Sequence, residues 1–385
     1  MRELTALRQE IDRLDEQLAH LFLQRMEICR EVGEYKKANG LPVLDEKRER
    51  ELLAAKSALA GDADAGRALR SLFGTVLAES RALQAGLMED PEKERAFAEY
   101  LELVHWDGPP LSERRVLYQG LPGAYCEEAA IGFFGEQCER MNLKTWDGVF
   151  RGVKEGFGDY GVVPIENSST GSISDVYDLL GQFGCHITGE QLVRVDHCLM
   201  ALPGADMKTI SDVYTHEQAF RQCRGFLSSY PKWGQHEMVN TALAARFVSK
   251  SGDTSKAAIA SRRAAALYGL EILQSSVNEN RNNYTRFIVV AADPRYPADA
   301  NKISVRFTLP HVEGSLCRML QIFARAGLNL EKLESRPIPE EGWSYSFYAD
   351  FTGNLQKGGL DPVIRELINA ASDFRILGNY KAAVL

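Results

Sequence analysis

Leu4, Leu7, Ile11, Leu14, Leu18 and Leu21 recur at spacings of three and four, which draws one apolar face along a helix. The pattern continues through Met26 and Val32 to about Lys37, with Gly33 the one weak point. A helix of roughly 35 residues would span about 50 Å, longer than any core that 90 residues can build. Helices of this length lie against a partner chain. Two shorter helices are predicted, at about 45–58 and about 64–86, separated by Ala60-Gly61-Asp62. Residues 1–88 therefore read as an all-α domain, an intertwined helical dimer.

A charged helical stretch follows, and Asp107-Gly108-Pro109-Pro110 then stops any helix, so 89–113 reads as a linker. From 114 to 295 short apolar runs alternate with helical segments. Val116-Leu117-Tyr118, Tyr160-Gly161-Val162-Val163-Pro164, Ala257-Ala258-Ile259-Ala260 and Phe287-Ile288-Val289-Val290 are such runs, the texture of an α/β domain. Within 301–385, Ile303, Val305, Phe307 and Leu309 alternate as a strand, and Leu316, Leu320, Phe323 and Ala324 mark a helix that Gly327 caps. Two strands, a helix and a last strand complete a βαββαβ order, the ferredoxin-like pattern.

Composition narrows the function. A length of 385 residues suits two to three domains, and a formal net charge of −8 lacks the basic footprint of a nucleic-acid binder. Seven scattered cysteines form no C-x-x-C pair, no apolar run approaches a membrane span, and no apolar signal core opens the chain. These features point to a protein of the reducing cytoplasm with neither nucleic-acid nor membrane partner. No nucleotide loop, dinucleotide fingerprint or metal-ligand cluster is legible, so neither cofactor nor metal is expected.

Helical geometry places the charges of the first domain. Arg25 and Lys36 are eleven residues apart, about 20° from alignment and about 16 Å along the axis. Arg8 falls about 100° around from Arg25, so it serves the same pocket only from a partner chain. Asp45, Arg48 and Glu49 share one face of the second helix, and Ser80 and Gln84 one face of the third. Taken singly, each charge is a solvated helix surface. Together, cations and amide-type donors suit a dicarboxylate whose reaction only redistributes charge. Ala6-Leu7-Arg8 with Ile11-Asp12, Arg25, Val32-Gly33-x-x-Lys36 and Asp45-x-x-Arg48-Glu49 resemble the all-helical chorismate mutases. The resemblance implies Arg8 (from the other subunit) and Arg25 as carboxylate clamps, and Lys36 and Gln84 as donors to the breaking ether oxygen. Arg48 and Ser80 would orient the substrate, Glu49 would hold the ring hydroxyl, and Asp45 belongs to the same motif. The implied reaction is the Claisen rearrangement of chorismate to prephenate.

In the middle domain, Gly120-Leu121-Pro122-Gly123 opens a helix either as an ordinary β–α turn or as an anion cradle. Glu166-Asn167-Ser168-Ser169-Thr170 follows a strand, where ligands sit in α/β sheets. Asn282-Asn283-Tyr284-Thr285-Arg286-Phe287 sets a hydroxyl beside a guanidinium. With His197-Cys198-Leu199 and Tyr214-Thr215-His216-x-Gln218-Ala219, these segments resemble prephenate dehydratases, two-lobed domains of periplasmic-binding-protein type. The resemblance implies that Thr285 donates to the departing ring hydroxyl and that Arg286 pairs with a substrate carboxylate. Glu166, Asn167, Ser168, Thr170 and Phe287 complete the expected contacts. Cys126 departs from the serine usual in the glycine-rich turn and is left outside the catalytic group, while His197 and His216 are read as structural.

Gly314-Ser315-Leu316 and Glu334-Ser335-Arg336-Pro337 make 301–385 resemble an ACT domain. This implies phenylalanine as effector at these seven positions and pairing across subunits. The whole order resembles the bifunctional P-proteins of phenylalanine biosynthesis, a homodimer or higher oligomer acting on chorismate and prephenate. Two alternatives remain at this level: arogenate as the dehydratase substrate, and a sensor that binds without turnover.

Overall fold

The computed structural model describes residues 2–88, 90–103, 114–338, 342 and 344–384. The predicted Asp107-Gly108-Pro109-Pro110 break lies outside the described residues. Contacts divide the chain into two compact units: Met1–Glu99 with Leu309–Ala326 and Asp361–Ser372, and Tyr100–Thr308 with Gly327–Leu360 and Asp373–Leu385.

The first unit is helical. It holds α1 (Leu4–Ala38), α2 (Glu46–Ser57), α3 (Ala63–Leu87) and the greater part of α4 (Pro91–Leu103). The first helix spans 35 residues, and α1 and α2 each pack on α3. Asp45 and Asp62 cap α2 and α3 by accepting from the amides of Arg48 and Ala65. Gly33, the weak point of the pattern, is buried: a Cβ there would stand 2.8 Å from Leu87 Cδ1 and 3.1 Å from Gln84 Cγ. The missing side chain lets α1 approach α3 closely. Ile11, Leu14, Leu18, Leu21 and Ile28 remain exposed on the single chain.

The second unit begins with β1 (Arg115–Gln119), α5 (Tyr125–Phe134), β2 (Glu139–Leu143), α6 (Trp146–Lys154), β3 (Tyr160–Asn167), β4 (Gly171–Ser172), α7 (Ser174–Phe183) and β5 (His186–Arg194). The chain then crosses to a second sheet built from β6 (His197–Ala201), β7 (Asp212–Thr215), β8 (Gly234–Glu237), β9 (Lys256–Ser261) and β10 (Glu271–Gln274). Among these strands lie α8 (Glu217–Gln222), α9 (Arg224–Ser228), α10 (Thr241–Ser251) and α11 (Arg262–Tyr268). The chain returns as β11 (Tyr284–Ala291), which inserts antiparallel between β3 and β5. The first sheet runs β2-β1-β3-β11-β5, the second β10-β6-β9-β7-β8. Two lobes joined by two crossings are the periplasmic-binding-protein arrangement that was expected.

After β12 (Lys302–Thr308) come α12 (Ser315–Arg325), β13 (Leu330–Pro337), β14 (Tyr345–Thr352), α13 (Asp361–Ala370) and β15 (Asp373–Tyr380), in the expected βαββαβ order. The four strands form an antiparallel sheet, β13-β14-β12-β15. Contacts group this sheet with the second unit and the helices α12 and α13 with the first, so the region read as one module at 301–385 is divided between the units.

Within the second unit, alternation along β11 sends Phe287 and Val289 into a core with Tyr118, Ala129 and Tyr160. Ile288 and Val290 enter the opposite core, which also takes in Tyr348, Leu377 and Tyr380 of the C-terminal sheet. The approach of β15 to β5 is close enough that a Cβ on Gly378 would fall 2.1 Å from the Ile187 carbonyl oxygen. No described helix is long and apolar enough to cross a membrane.

Because that neighbour is backbone and cannot rotate away, Gly378→Ala is expected to lower stability by about 1–3 kcal/mol. Denaturant unfolding followed by far-ultraviolet dichroism measures it, and an unchanged midpoint would contradict the close packing of β15 on β5.

Candidate active sites

The polar loop between β3 and β4 is shaped by Asn167, which is buried at the end of its strand. Its Oδ1 accepts from the amides of Ser169 at 3.0 Å and Thr170 at 3.1 Å, folding the chain over its own side chain. Its Nδ2 donates to Asn283 Oδ1 at 2.8 Å and to Thr285 Oγ1 at 2.9 Å. Thr285 is the register partner of Asn167 across β11 and β3, so sheet pairing itself brings the two together. The threonine oxygen is thus occupied as an acceptor. Among the described residues its O–H proton has no acceptor, which leaves it to be donated outward. Ser168 is tied to the carbonyl of Asn282 and the amide of Tyr284, and Thr170 Oγ1 accepts from Gln218 Nε2 at 3.2 Å.

Arg286 lies elsewhere. Successive strand residues face opposite sides of a sheet, and its guanidinium meets Asp350 at 2.7 Å, Glu190 at 3.2 Å and Glu166 at 3.5 Å. Burial works against its charge, but Asp350 and Glu190 outweigh that and hold its pKa well above the ordinary arginine value. Three protein carboxylates therefore face Arg286, the residue expected to pair with a substrate carboxylate, and Asp350 and Glu190 both bond its Nη1. Glu166, also expected at the substrate, pairs with Arg286 and with Lys332 at 2.8 Å. Phe287, expected at the substrate, is 2 % exposed and belongs to the core.

The glycine-rich turn takes its ordinary reading. Gly123 donates its amide to Glu127 Oε2 at 2.7 Å and packs against Ala264, where a Cβ would stand 3.0 Å from backbone. Burial pushes the Cys126 thiol up to about 12, which keeps it protonated and inert. His197 is held between Tyr125 Oη at 3.1 Å and Gln222 Oε1 at 2.9 Å, and burial lowers its pKa to about 4. His216 caps α8. Glu128, which the motif reading passed over, is pushed up to about 7 by burial against the pull of Arg263.

In the first unit, Arg25 donates to the buried Ser80 hydroxyl, and Gln84 follows one turn along α3 with its Oε1 buried and unpartnered among the described residues. Lys36, three residues after the contact of Gly33 with Gln84, donates to the Val43 carbonyl at 2.7 Å. Arg25 and Ser80 are thus in contact, Gln84 lies one turn further along α3, and Lys36 lies further along α1. Arg8 and Arg48 are exposed, and nothing on this single chain draws them in. Asp45 is a helix cap rather than a pocket group. Both oxygens of Glu49 accept from Arg81, a cation the motif reading missed although it stands one residue past Ser80.

Of the expected effector residues, Gly314 takes a left-handed φ of 76° at the start of α12, and Ser315 accepts from Arg318 at 3.1 Å. Leu316 follows on that helix. In the second unit, Glu334 bonds Ser172, Arg336 pairs with Asp178 through two hydrogen bonds of 3.0 and 2.8 Å, and Ser335 and Pro337 alternate with them on β13.

A two-lobed α/β domain preceded by helices that carry cations and amides is the class of architecture this chain presents. Comparison sharpens this. The chorismate mutase type II family matches residues 7–85, and the prephenate dehydratase family residues 116–295. The bifunctional chorismate mutase/prephenate dehydratase of Escherichia coli (strain K12) is 33% identical over 384 residues, covering 98% of this chain and 96% of the relative. Arogenate dehydratase/prephenate dehydratase 1 of Arabidopsis thaliana is 37% identical over 287 residues, 70% of this chain and 72% of the relative. The crystal structure of prephenate dehydratase from Arthrobacter aurescens in complex with L-Phe superimposes with a TM-score of 0.63 at 28% identity, covering 69% of this chain and 90% of that one. The chain belongs to the bifunctional chorismate mutase/prephenate dehydratase family.

The buried imidazole gives a signed pH dependence. The unfolded chain protonates His197 near 6.5 and the fold only near 4, so its contribution is complete above about pH 6.5 and is lost as pH falls toward 4. Glu128 acts oppositely, its burden easing as pH falls below about 7. The stability gap between wild type and His197→Gln isolates the imidazole. That gap is expected to shrink by roughly 3 kcal/mol between neutral pH and about pH 4 in chemical unfolding; a constant gap would rule out the neutral, buried ring.

Proposed function

We infer that the chain catalyses two consecutive steps toward phenylalanine: rearrangement of chorismate to prephenate, then decarboxylating dehydration of prephenate to phenylpyruvate. The observation that carries the second step is the Thr285 hydroxyl, its oxygen held by Asn167 and its proton unclaimed. As the bond to the ring carboxylate breaks and carbon dioxide leaves, its electrons enter the ring and expel the hydroxyl on the far side. Thr285 donates to that departing oxygen, which takes up one proton and leaves as water. A threonine is a weak acid, so its value lies in fixed direction rather than acidity. The Ser168 and Thr170 hydroxyls hold the loop by donating to Asn282 and Asn167, and Gln218 keeps a second amide N–H beside Thr170.

For the first step, Arg25 and Lys36 with Gln84 form a pocket in which charge is redistributed without a covalent intermediate. Arg81 of α3 fixes Glu49 of α2, which would hold the ring hydroxyl. A second copy of the chain covers the apolar face of α1 and brings Arg8 to the clamp. The C-terminal region acts as an ACT module with phenylalanine as effector, and the enzyme works in the cytoplasm, where its cysteines stay free. Arogenate differs from prephenate by an amine in place of the keto group, and comparing kcat/KM for the two measures the preference.

Each reaction is expected to fail independently. Lys36→Ala should lower mutase kcat by about 10²-fold or more and spare the dehydratase, and Thr285→Val the reverse. Chorismate loss and phenylpyruvate appearance, followed by ultraviolet absorbance, give both rates. Retained dehydratase turnover in Thr285→Val would overturn the role of this hydroxyl.

A further inference from the structure

One ammonium group spans the base of the loop that supplies Asn167. Lys332 Nζ lies 2.8 Å from Glu166 Oε1 and donates to Ser172 Oγ at 2.8 Å. Glu166 and Ser172 are register partners across β3 and β4, and the next pair inward is Asn167 with Gly171. Lys332 therefore ties both strands of the loop together one residue pair from the group that holds Thr285. Glu166 also meets Arg286 through its other oxygen, and Arg286 is the chain neighbour of Thr285. Both members of the Asn167–Thr285 pair thus adjoin a residue of one ionic cluster.

The same strand grips the dehydratase lobe at two further points. Glu334 bonds Ser172, and Arg336 pairs with Asp178 on α7. Lys332, Glu334 and Arg336 occupy alternate positions of β13, so they share a face and move with the strand. This face also contains two residues of the effector motif. A displacement of β13 by an ångström would break or reform the contacts with Glu166 and Ser172 together, and through them alter the loop.

We propose that Lys332 is a positioning residue through which β13 sets the Asn167–Thr285 pair, and that phenylalanine bound by the C-terminal module suppresses dehydration along this path. The inference rests on the effector reading given above and adds the route. An effector acts only as far as it favours one of two arrangements over the other; here the two arrangements differ in whether the ammonium engages both strands at the loop base.

The test is titration of the full-length enzyme with phenylalanine, following dehydratase rate, mutase rate and calorimetric binding. Wild type is expected to fall to about a tenth of its dehydratase rate at saturation, the scale of an ordinary allosteric coupling. Lys332→Met should still bind phenylalanine yet keep about half or more of its own phenylalanine-free rate, and Lys332→Arg should recover the inhibition. Ser172→Ala, which keeps the ion pair and removes one tie, should give an intermediate response. Mutase turnover reports that the variants are folded. If wild type is inhibited and both Lys332→Met and Ser172→Ala are inhibited equally, the route is wrong while the effector reading stands. If Lys332→Met no longer binds phenylalanine, the residue is an effector contact and the proposal falls. If wild type binds no phenylalanine, the effector reading fails and takes the coupling with it.

Discussion

The antiparallel pairing of β11 with β3 is the constraint on which the dehydratase half depends. It sets Thr285 opposite Asn167 and Arg286 opposite Glu166, and the pleat sends these two pairs to opposite faces of one sheet. One face presents a hydroxyl whose oxygen is already bonded. The other buries a guanidinium among carboxylates. Two adjacent residues therefore serve two purposes, and neither can move without the other.

A buried guanidinium is costly unless paired, and removing one partner of a buried pair typically costs about 3–5 kcal/mol. Arg286 is held by Asp350, Glu190 and Glu166, and the cluster extends through Lys302, which reaches Glu190 at 2.8 Å and Glu331 at 3.1 Å. Four acids face three cations once Lys332 is included, so the group is close to neutral and nearly all of its charges are shared. Lys302, Asp350, Glu331 and Lys332 come from the C-terminal sheet, whereas Arg286, Glu190 and Glu166 come from the dehydratase lobe. The electrostatic solution to burying one arginine also ties the C-terminal sheet to the strand that carries Thr285.

Much of this architecture was legible because it rests on local pattern. The 35-residue first helix, the alternation of Ile303, Val305 and Phe307 and the βαββαβ order follow from periodicity, which burial enforces. The errors have a different origin. The pleat sets Arg286 on the face opposite Thr285, a signal available in the sequence, whereas Phe287 shares the face of Thr285 and is drawn into the core by packing. The partners of Arg286 were not legible there, since Glu190 and Asp350 lie 96 and 64 residues away and only folding brings them together. Asp45 looked like a pocket group because caps and ligands draw on the same residue types. Gly33 looked like a flaw in a helix because its purpose belongs to a neighbour, α3, that periodicity within α1 does not reveal.

What a cation can do at a carboxylate differs between the two reactions. In the rearrangement both carboxylates survive, so a cation clamping them binds ground and transition states alike and can hold the reacting conformation. In the dehydration one carboxylate must lose its charge as it departs as carbon dioxide. A guanidinium locked on that group would stabilise the reactant more than the transition state and would slow the step. In this chain the Arg286 guanidinium, on the sheet face opposite Thr285, meets Asp350, Glu190 and Glu166. What each reaction does with its carboxylates thus sets what a cation can contribute: it can hold both groups through the rearrangement, and only the surviving one through the dehydration.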